Sequence, residues 1–524
     1  MLLLASSRSS GLRTFTRSCN CLARTRPHRL LHTAPPTAPP PPPAPVYASA
    51  LAGLTSDLDK LAPRFDIDAR QIRILKAPDD FYSVLKEKIL NAKYRVFLST
   101  LYIGASEHEL IETLRQALQN QPGLRVSVLS DALRGTRESP RASCASLLAP
   151  LVEEFGEDRV EVRMYHSPIL TGWRKKLIPA RLNEGWGLQH MKLYGFDDEV
   201  ILSGANLSTD YFTNRQDRYH MFSNKNITDY YARIQQTISQ ISYRVLPDKT
   251  SEQGYKLIWP ASNPAPQPTE RPREFKASAS ALLVPLLRPS QQPEDGNAGT
   301  ESTDTVVYPL GQFTPLFHEV DTSTEIVGLS KVLQLLARQD FSEASWTFTA
   351  GYFNIHPTLK SILLASTSKQ GSIITAHPHA NGFFGSAGIS GNLPPGYTLL
   401  AGRFLADVYA AGKQNSIILK EWKRGVVGEK DGWTYHAKGI WVNMPGEHNP
   451  SITLIGSSNY TRRSYSLDIE MNALVITRSE QMKEALREEV QNLESFTSPK
   501  KLKDFKEDVG WRVKFLVWLF EKQL

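Results

Sequence analysis

The 524-residue sequence predicts an α/β fold built from two similar halves on one chain. Three observations predict it. A His-x-Lys triplet occurs twice, as His190-Met191-Lys192 and as His436-Ala437-Lys438. Each triplet is followed by a small-residue turn ending in Asn, Ser203-Gly204-Ala205-Asn206 and Gly456-Ser457-Ser458-Asn459, and then by a carboxylate eleven residues beyond the Asn, Asp217 and Glu470. Ahead of each triplet, apolar runs with strand character alternate with segments of helical spacing.

Taken in chain order, residues 1–34 have the composition of a mitochondrial transit peptide. Arg8, Arg13, Arg17, Arg24, Arg26 and Arg29 stand among Ser, Thr and Leu, with no acidic residue before Asp57. Removing these six arginines takes the formal net charge from +8 to about +2, so the basic balance is mainly a targeting property. Residues 35–56 begin with a proline run that can form neither helix nor sheet ladder and are read as an extended spacer. Residues 57–259 form the first half: 94–103 reads as a strand, 107–118 as a helix and 124–129 as a strand. Residues 190–196 and 200–202 read as two strands around a turn. Residues 260–305, rich in Pro, Ser, Glu and Gln, are expected to be a flexible linker or surface insertion. Residues 306–500 repeat the pattern, with a helix at 327–337, strand at 346–353, helix at 359–366 and strand at 371–376 before the second triplet. Residues 501–524 mix basic and aromatic side chains, with Trp511 and Trp518 as candidate interfacial anchors; packing of this segment on the core is the competing reading. No run reaches the ~20 apolar residues needed to span a bilayer. Cys19 and Cys21 leave with the presequence and Cys144 remains alone, which excludes a disulfide framework or a Cys-based metal site.

The paired residue types suit phosphoryl transfer. A phosphodiester repels nucleophiles, so its non-bridging oxygens must be neutralised, a nucleophile presented in line and the leaving oxygen protonated. Lys192, Lys438, Asn206 and Asn459 suit the first task. Imidazole, titrating near neutrality, suits the other two, with one histidine attacking and the other donating a proton. Asp217 and Glu470 are placed to bond the far ring nitrogen of a histidine, and which carboxylate serves which half is open at this point.

On His190 to Asn206, residues 131–137, residues 435–441 and residues 456–463, the sequence resembles the phospholipase D superfamily over roughly residues 60–500. The resemblance implies two phospholipase D-like halves with the active site at their interface, and catalytic roles for His190, Lys192, Asp197, His436 and Lys438. The second copy departs from the pattern, since Asn443 stands where the first has Asp197. The branch resembled joins the phosphatidyl group of CDP-diacylglycerol to glycerol 3-phosphate through a phosphatidyl-histidine, with His190 as nucleophile. That reading implies peripheral association with the matrix face of the mitochondrial inner membrane, no required cofactor or metal, modulation by divalent cations, and no nucleic-acid partner. Arg134, Arg137, Arg462 and Arg463 are candidates for the acceptor phosphate, the first pair beyond a strand end and the second just past Asn459. The competing functions are a serine-accepting synthase, a hydrolase or nuclease using water, and a non-enzymatic lipid binder. The near-neutral body argues against a DNA track, and retention of both His-Lys pairs argues against loss of catalysis. His377 and His379 lack a nearby carboxylate or cysteine in sequence and read as a substrate-contacting loop.

Overall fold

The computed structural model describes residues 47–138, 142–172, 183–289, 303–505 and 509–521. The transit peptide, the proline run and the Arg174-Lys175-Lys176 cluster lie outside these residues.

Two nine-stranded sheets repeat one plan. In the first half, Arg95–Ser99, Arg125–Asp131 and Val160–Tyr165 run parallel, crossed over by the helices His108–Asn120 and Cys144–Phe155. The chain then turns back as an antiparallel hairpin, Leu193–Phe196 with Glu199–Ser203, and Tyr219–Ser223 follows on its edge. The second half matches strand for strand. Ser345–Ala350, Gln370–Ala376 and Ile417–Trp422 run parallel, the hairpin is Lys438–Asn443 with Pro450–Gly456, and Glu470–Thr477 follows. Each His-x-Lys motif therefore enters its hairpin, and each carboxylate stands at the entry of the strand beside it. The apolar runs are buried because helices or the opposite half cover the sheets, as parallel strands require.

The halves meet over apolar and polar contacts together. Ile374, Trp422, Tyr435, Trp441 and Met471 of the second half share one buried cluster with Phe97, Leu193, Leu202 and Tyr231 of the first. Arg218, fully buried, crosses the boundary: its guanidinium donates to both oxygens of Glu489 at 2.9 Å and to the Lys438 and Leu454 carbonyls, and lies 3.9 Å over the Trp441 ring. Arg218 and the adjacent His220 hold the Glu489 carboxyl far below the ordinary range despite its burial.

Two segments differ from the sequence expectation. The segment 260–305 contains the helix Pro272–Leu287, whose Phe275, Ala279, Leu283 and Leu287 are buried at four-residue intervals against Phe313 and Leu316. The Pro-, Ser-, Glu- and Gln-rich sequence on either side hides this apolar helix. The segment assigned to the spacer includes most of the helix Ala48–Asp59, which buries Ala50, Leu54 and Leu58. With the strand Phe65–Ile67, which pairs with Thr305–Gln312, it belongs to the second half. At the other terminus, the helix Trp511–Phe520 packs Val513 and Val517 on Tyr397 and Leu400, while Trp511, Phe515, Trp518 and Leu519 are 73, 52, 71 and 48% exposed. Packing and exposure thus occupy opposite faces of one helix.

Candidate active site

The two motifs converge at the boundary between the sheets, and backbone bridges cross there twice. Gln189 bridges in parallel to Ile469, and the His190 N–H donates to the Ile469 carbonyl at 3.0 Å. Gln216 pairs in parallel with Tyr435, and the His436 N–H donates to the Gln216 carbonyl at 2.9 Å. Each histidine therefore stands next to the residue preceding the other half's carboxylate. The consequence is a crossed pairing: His190 Nδ1 lies 2.8 Å from Glu470 Oε1, and His436 Nδ1 lies 2.7 Å from Asp217 Oδ2. Neither half holds a complete site.

The two lysines are matched as well. Lys192 Nζ donates to the His190 carbonyl at 2.7 Å and Lys438 Nζ to the His436 carbonyl at 2.6 Å; Lys438 Nζ also stands 3.5 Å from Asp217. Lysines and carboxylates are sealed, at no more than 1% exposure, while His190 and His436 retain 8 and 4%. The histidines form the accessible edge of the cluster. A side chain at position 204 would put its Cβ 2.6 Å from Asp217 Oδ1 and 2.7 Å from Lys438 Nζ, which explains the small-residue turn. Asn206 donates to the Tyr211 hydroxyl, and both Asn206 and Asn459 bury a side-chain oxygen that no described residue hydrogen-bonds.

Burial sets the protonation of the cluster. It pushes both imidazoles well below their ordinary pKa, reinforced by Lys192 at His190 and by Lys438 at His436. It lowers Lys438 to about 8 and raises Glu470 to about 7, and it raises Asp217. A neutral imidazole is the nucleophilic form. A phosphodiester anion placed against this edge would favour protonated lysines and one protonated histidine.

Asp197 does not join this cluster. It sits at the far end of the Leu193–Phe196 hairpin in a left-handed conformation, φ 48°, and its carboxylate accepts the N–H groups of Lys93, Tyr94 and Arg95. The four-residue strand Leu193–Phe196 lies between it and Lys192, five residue steps or about 17 Å of extended chain. Its role is to close the hairpin turn, and Asn443, whose amide donates to the His448 carbonyl in the second hairpin, does related work without a charge. Asp197→Ala is expected to destabilise the fold by about 1–3 kcal/mol through unmet backbone donors. Turnover of the folded fraction should stay near wild type, as thermal melts combined with kcat would reveal.

Sequence reasoning missed the supports. Asp131, buried and raised to about 7, caps its helix through Leu133 and Arg134 and accepts the Gln189 N–H at 2.9 Å, fixing the residue before His190. Asp468 likewise accepts the Leu188 N–H at 2.9 Å. Tyr211 and Tyr352 set their rings edge-on to His436 at 5.2 and 5.3 Å. Of the four candidate arginines, Arg463 pairs with Asp468 at 2.9 Å and Arg134 lies 4.6 Å over the Tyr102 ring, whereas Arg137 and Arg462 are exposed. The 377–385 loop does approach the site, with Phe383 against Tyr352. Among the described residues, no group of three or more His, Cys, Asp or Glu side chains is arranged to hold a metal ion.

No protein-family model matches the chain. Among curated proteins, a CDP-diacylglycerol-glycerol-3-phosphate 3-phosphatidyltransferase of Saccharomyces cerevisiae is 47% identical over 489 residues, covering 91% of this chain and 93% of that protein. One of the same name from Schizosaccharomyces pombe is 40% identical over 506 residues, covering 90% and 98%. A human protein of that name, designated mitochondrial, is 33% identical over 462 residues, covering 83% and 79%. Among solved structures, a phosphatidylserine synthase of Haemophilus influenzae superposes with a TM-score of 0.65 at 20% identity, over 90% of this chain and 97% of that one, a likeness of fold alone.

Proposed function

The chain belongs to the CDP-diacylglycerol-glycerol-3-phosphate 3-phosphatidyltransferase family, and from that premise we propose how its residues carry out the reaction. The enzyme transfers the phosphatidyl group of CDP-diacylglycerol to glycerol 3-phosphate, giving phosphatidylglycerophosphate and CMP. His190 Nε2 attacks the phosphatidyl phosphorus while His436, protonated, gives its proton to the departing CMP oxygen. A phosphatidyl-histidine results. His436, now neutral, takes the proton of the glycerol 3-phosphate hydroxyl as that oxygen attacks phosphorus and His190 leaves. Glu470 and Asp217 hold the two imidazoles by their Nδ1 atoms, which directs His190 Nε2 to the phosphorus and His436 Nε2, with Lys438 Nζ at 3.3 Å and the Tyr211 hydroxyl at 3.5 Å, to the proton. Lys192 and Lys438 offset the charge on the phosphoryl oxygens. The observation that carries this division of labour is the crossed pairing of each histidine with the other half's carboxylate.

The test combines purified protein with CDP-diacylglycerol liposomes and labelled glycerol 3-phosphate or serine, following label in lipid and CMP release. Labelling from glycerol 3-phosphate, absent in His190→Ala, supports the assignment. CMP release without lipid labelling, or labelling from serine in preference, contradicts it.

The setting we propose is the matrix face of the mitochondrial inner membrane. The arginine-rich, acid-free first 34 residues support the compartment, as does the designation of the vertebrate relatives. No helix among the described residues is long and apolar enough to cross a membrane. Contact with the lipid surface falls to the exposed face of Trp511–Phe520, where Trp511, Phe515, Trp518 and Leu519 suit the headgroup boundary. Replacing Trp511 and Trp518 together by Ser is expected to weaken vesicle binding at least ~10-fold with the melting temperature unchanged, because both rings point away from the packed face. Vesicle co-sedimentation checks it.

A further inference from the structure

The two halves match around the histidines but carry opposite charges at one matched position. Two residues before each carboxylate stands Arg215 in the first half and Asp468 in the second. Both meet the strand that leads into the opposing histidine: Arg215 pairs with Thr434, donating from Nε to its hydroxyl at 2.8 Å, and Asp468 accepts the Leu188 N–H at 2.9 Å. On the His190 side, Asp468 is bonded to Arg463, so the two charges offset each other within the protein. On the His436 side the guanidinium is not offset in the same way. Arg215, with a side chain 10% exposed, bonds among the described carboxylates only the largely exposed Asp210, at 3.1 Å, and its Nη1 makes no hydrogen bond with a described residue.

Arg215 is linked to His436 through the ring of Tyr211. Its guanidinium lies 4.5 Å over the Tyr211 ring, and that ring stands 5.2 Å from the His436 imidazole. A Cβ at Gly382 would fall 3.0 Å from Arg215 Nη2 and 2.9 Å from the Tyr352 hydroxyl, so the Gly382 backbone packs closely against both polar groups and brings them to one place. Arg215 is thus one aromatic ring removed from the proton-transferring histidine, on its side of the site.

That spacing distinguishes the two phosphates that visit this side. The phosphorus of CMP is bonded directly to the oxygen that His436 protonates, whereas three carbons and an ester oxygen separate the attacking hydroxyl of glycerol 3-phosphate from its phosphorus. We propose that Arg215, with the Tyr352 hydroxyl beside it, forms the subsite for the far phosphate of the acceptor, a phosphomonoester on a short polyol. The inference rests on the reading of His190 as nucleophile and His436 as acid and base, since both leaving group and acceptor then use the His436 side. Arg215 is in this account a specificity-determining residue, selecting a phosphorylated alcohol over a plain one.

The experiment compares wild type, Arg215→Gln and Arg215→Lys in CDP-diacylglycerol liposomes by three readouts: exchange of labelled CMP into CDP-diacylglycerol without acceptor, transfer to glycerol 3-phosphate, and transfer to glycerol. In Arg215→Gln the KM for glycerol 3-phosphate is expected to rise about 10- to 100-fold, the loss of one charge-assisted hydrogen-bonded pair. Exchange and transfer to glycerol persist, so the preference for the phosphorylated acceptor collapses. Arg215→Lys, retaining charge without the fork, falls between and serves if the Gln variant fails to fold. Exchange falling in step with transfer in both variants, or an unchanged KM for glycerol 3-phosphate, overturns the proposal. A wild type that transfers without exchanging contradicts the covalent reading instead, and the comparison of the two acceptors, independent of any intermediate, still decides Arg215.

Discussion

Replacing His190 by Asn is expected to abolish phosphatidyl transfer and CMP exchange together, by at least ~10^4-fold, because loss of a nucleophile stops both half-reactions. His436→Asn is expected to lose about 10^2- to 10^4-fold, the range for a general acid, and to lose it differently. With a donor whose leaving group needs no proton, such as a nitrophenyl ester of phosphatidic acid, His436→Asn should still form the protein adduct while His190→Asn should not. Equal rescue of both variants would mean that the two histidines do not divide the work as proposed. Substitution by Asn keeps a polar group of similar reach at the edge of the sealed cluster, so circular dichroism and melting should report a native fold.

The second large effect concerns the carboxylates and tests their crossing. Glu470→Gln and Asp217→Asn are each expected to lower kcat/KM for CDP-diacylglycerol by about 10^2- to 10^4-fold, since each fixes the orientation and tautomer of an imidazole and stabilises its charged form. The pH profiles separate them. His190 must be neutral to attack, so the rate climbs as pH rises through its pKa; removing Glu470 lowers that pKa and moves the acid limb to lower pH. His436 must be protonated to donate, so the rate falls as pH rises through its pKa; removing Asp217 moves the alkaline limb to lower pH and narrows the plateau. The crossed geometry, with 2.8 Å from His190 to Glu470 and 2.7 Å from His436 to Asp217, ties each limb to the carboxylate of the other half. Pairing within halves would exchange the two outcomes.

The repeat was legible because its residue types and intervals survive in both halves, and so were the strand, helix and hairpin positions that follow from apolar periodicity. The pairing of carboxylate with histidine was not legible. Partners 280 and 219 residues apart are joined by the bridges at Gln189 with Ile469 and at Gln216 with Tyr435, which no local pattern encodes. Asp197 was misread for a related reason. Its place in the motif marks it as chemical, but only the fold reveals that the hairpin carries it to the opposite end, where three backbone N–H groups need an acceptor. The helix Pro272–Leu287 was hidden by its flanks, since the Pro-, Ser-, Glu- and Gln-rich sequence on either side of it set the reading of the whole segment as linker. Arg215 escaped because matching the halves by residue type discards positions where they differ, and at this one the difference is a reversal of charge.

The proposed mechanism passes through a covalent phosphatidyl group at His190. Mixing the protein with CDP-diacylglycerol labelled at the phosphatidyl phosphorus, omitting acceptor, quenching in alkali to preserve phosphohistidine and mapping the labelled peptide tests it most directly. The predicted result is label on His190 that glycerol 3-phosphate discharges into lipid. Label on His436, or no protein-bound label together with inverted configuration at phosphorus in the product, would contradict it.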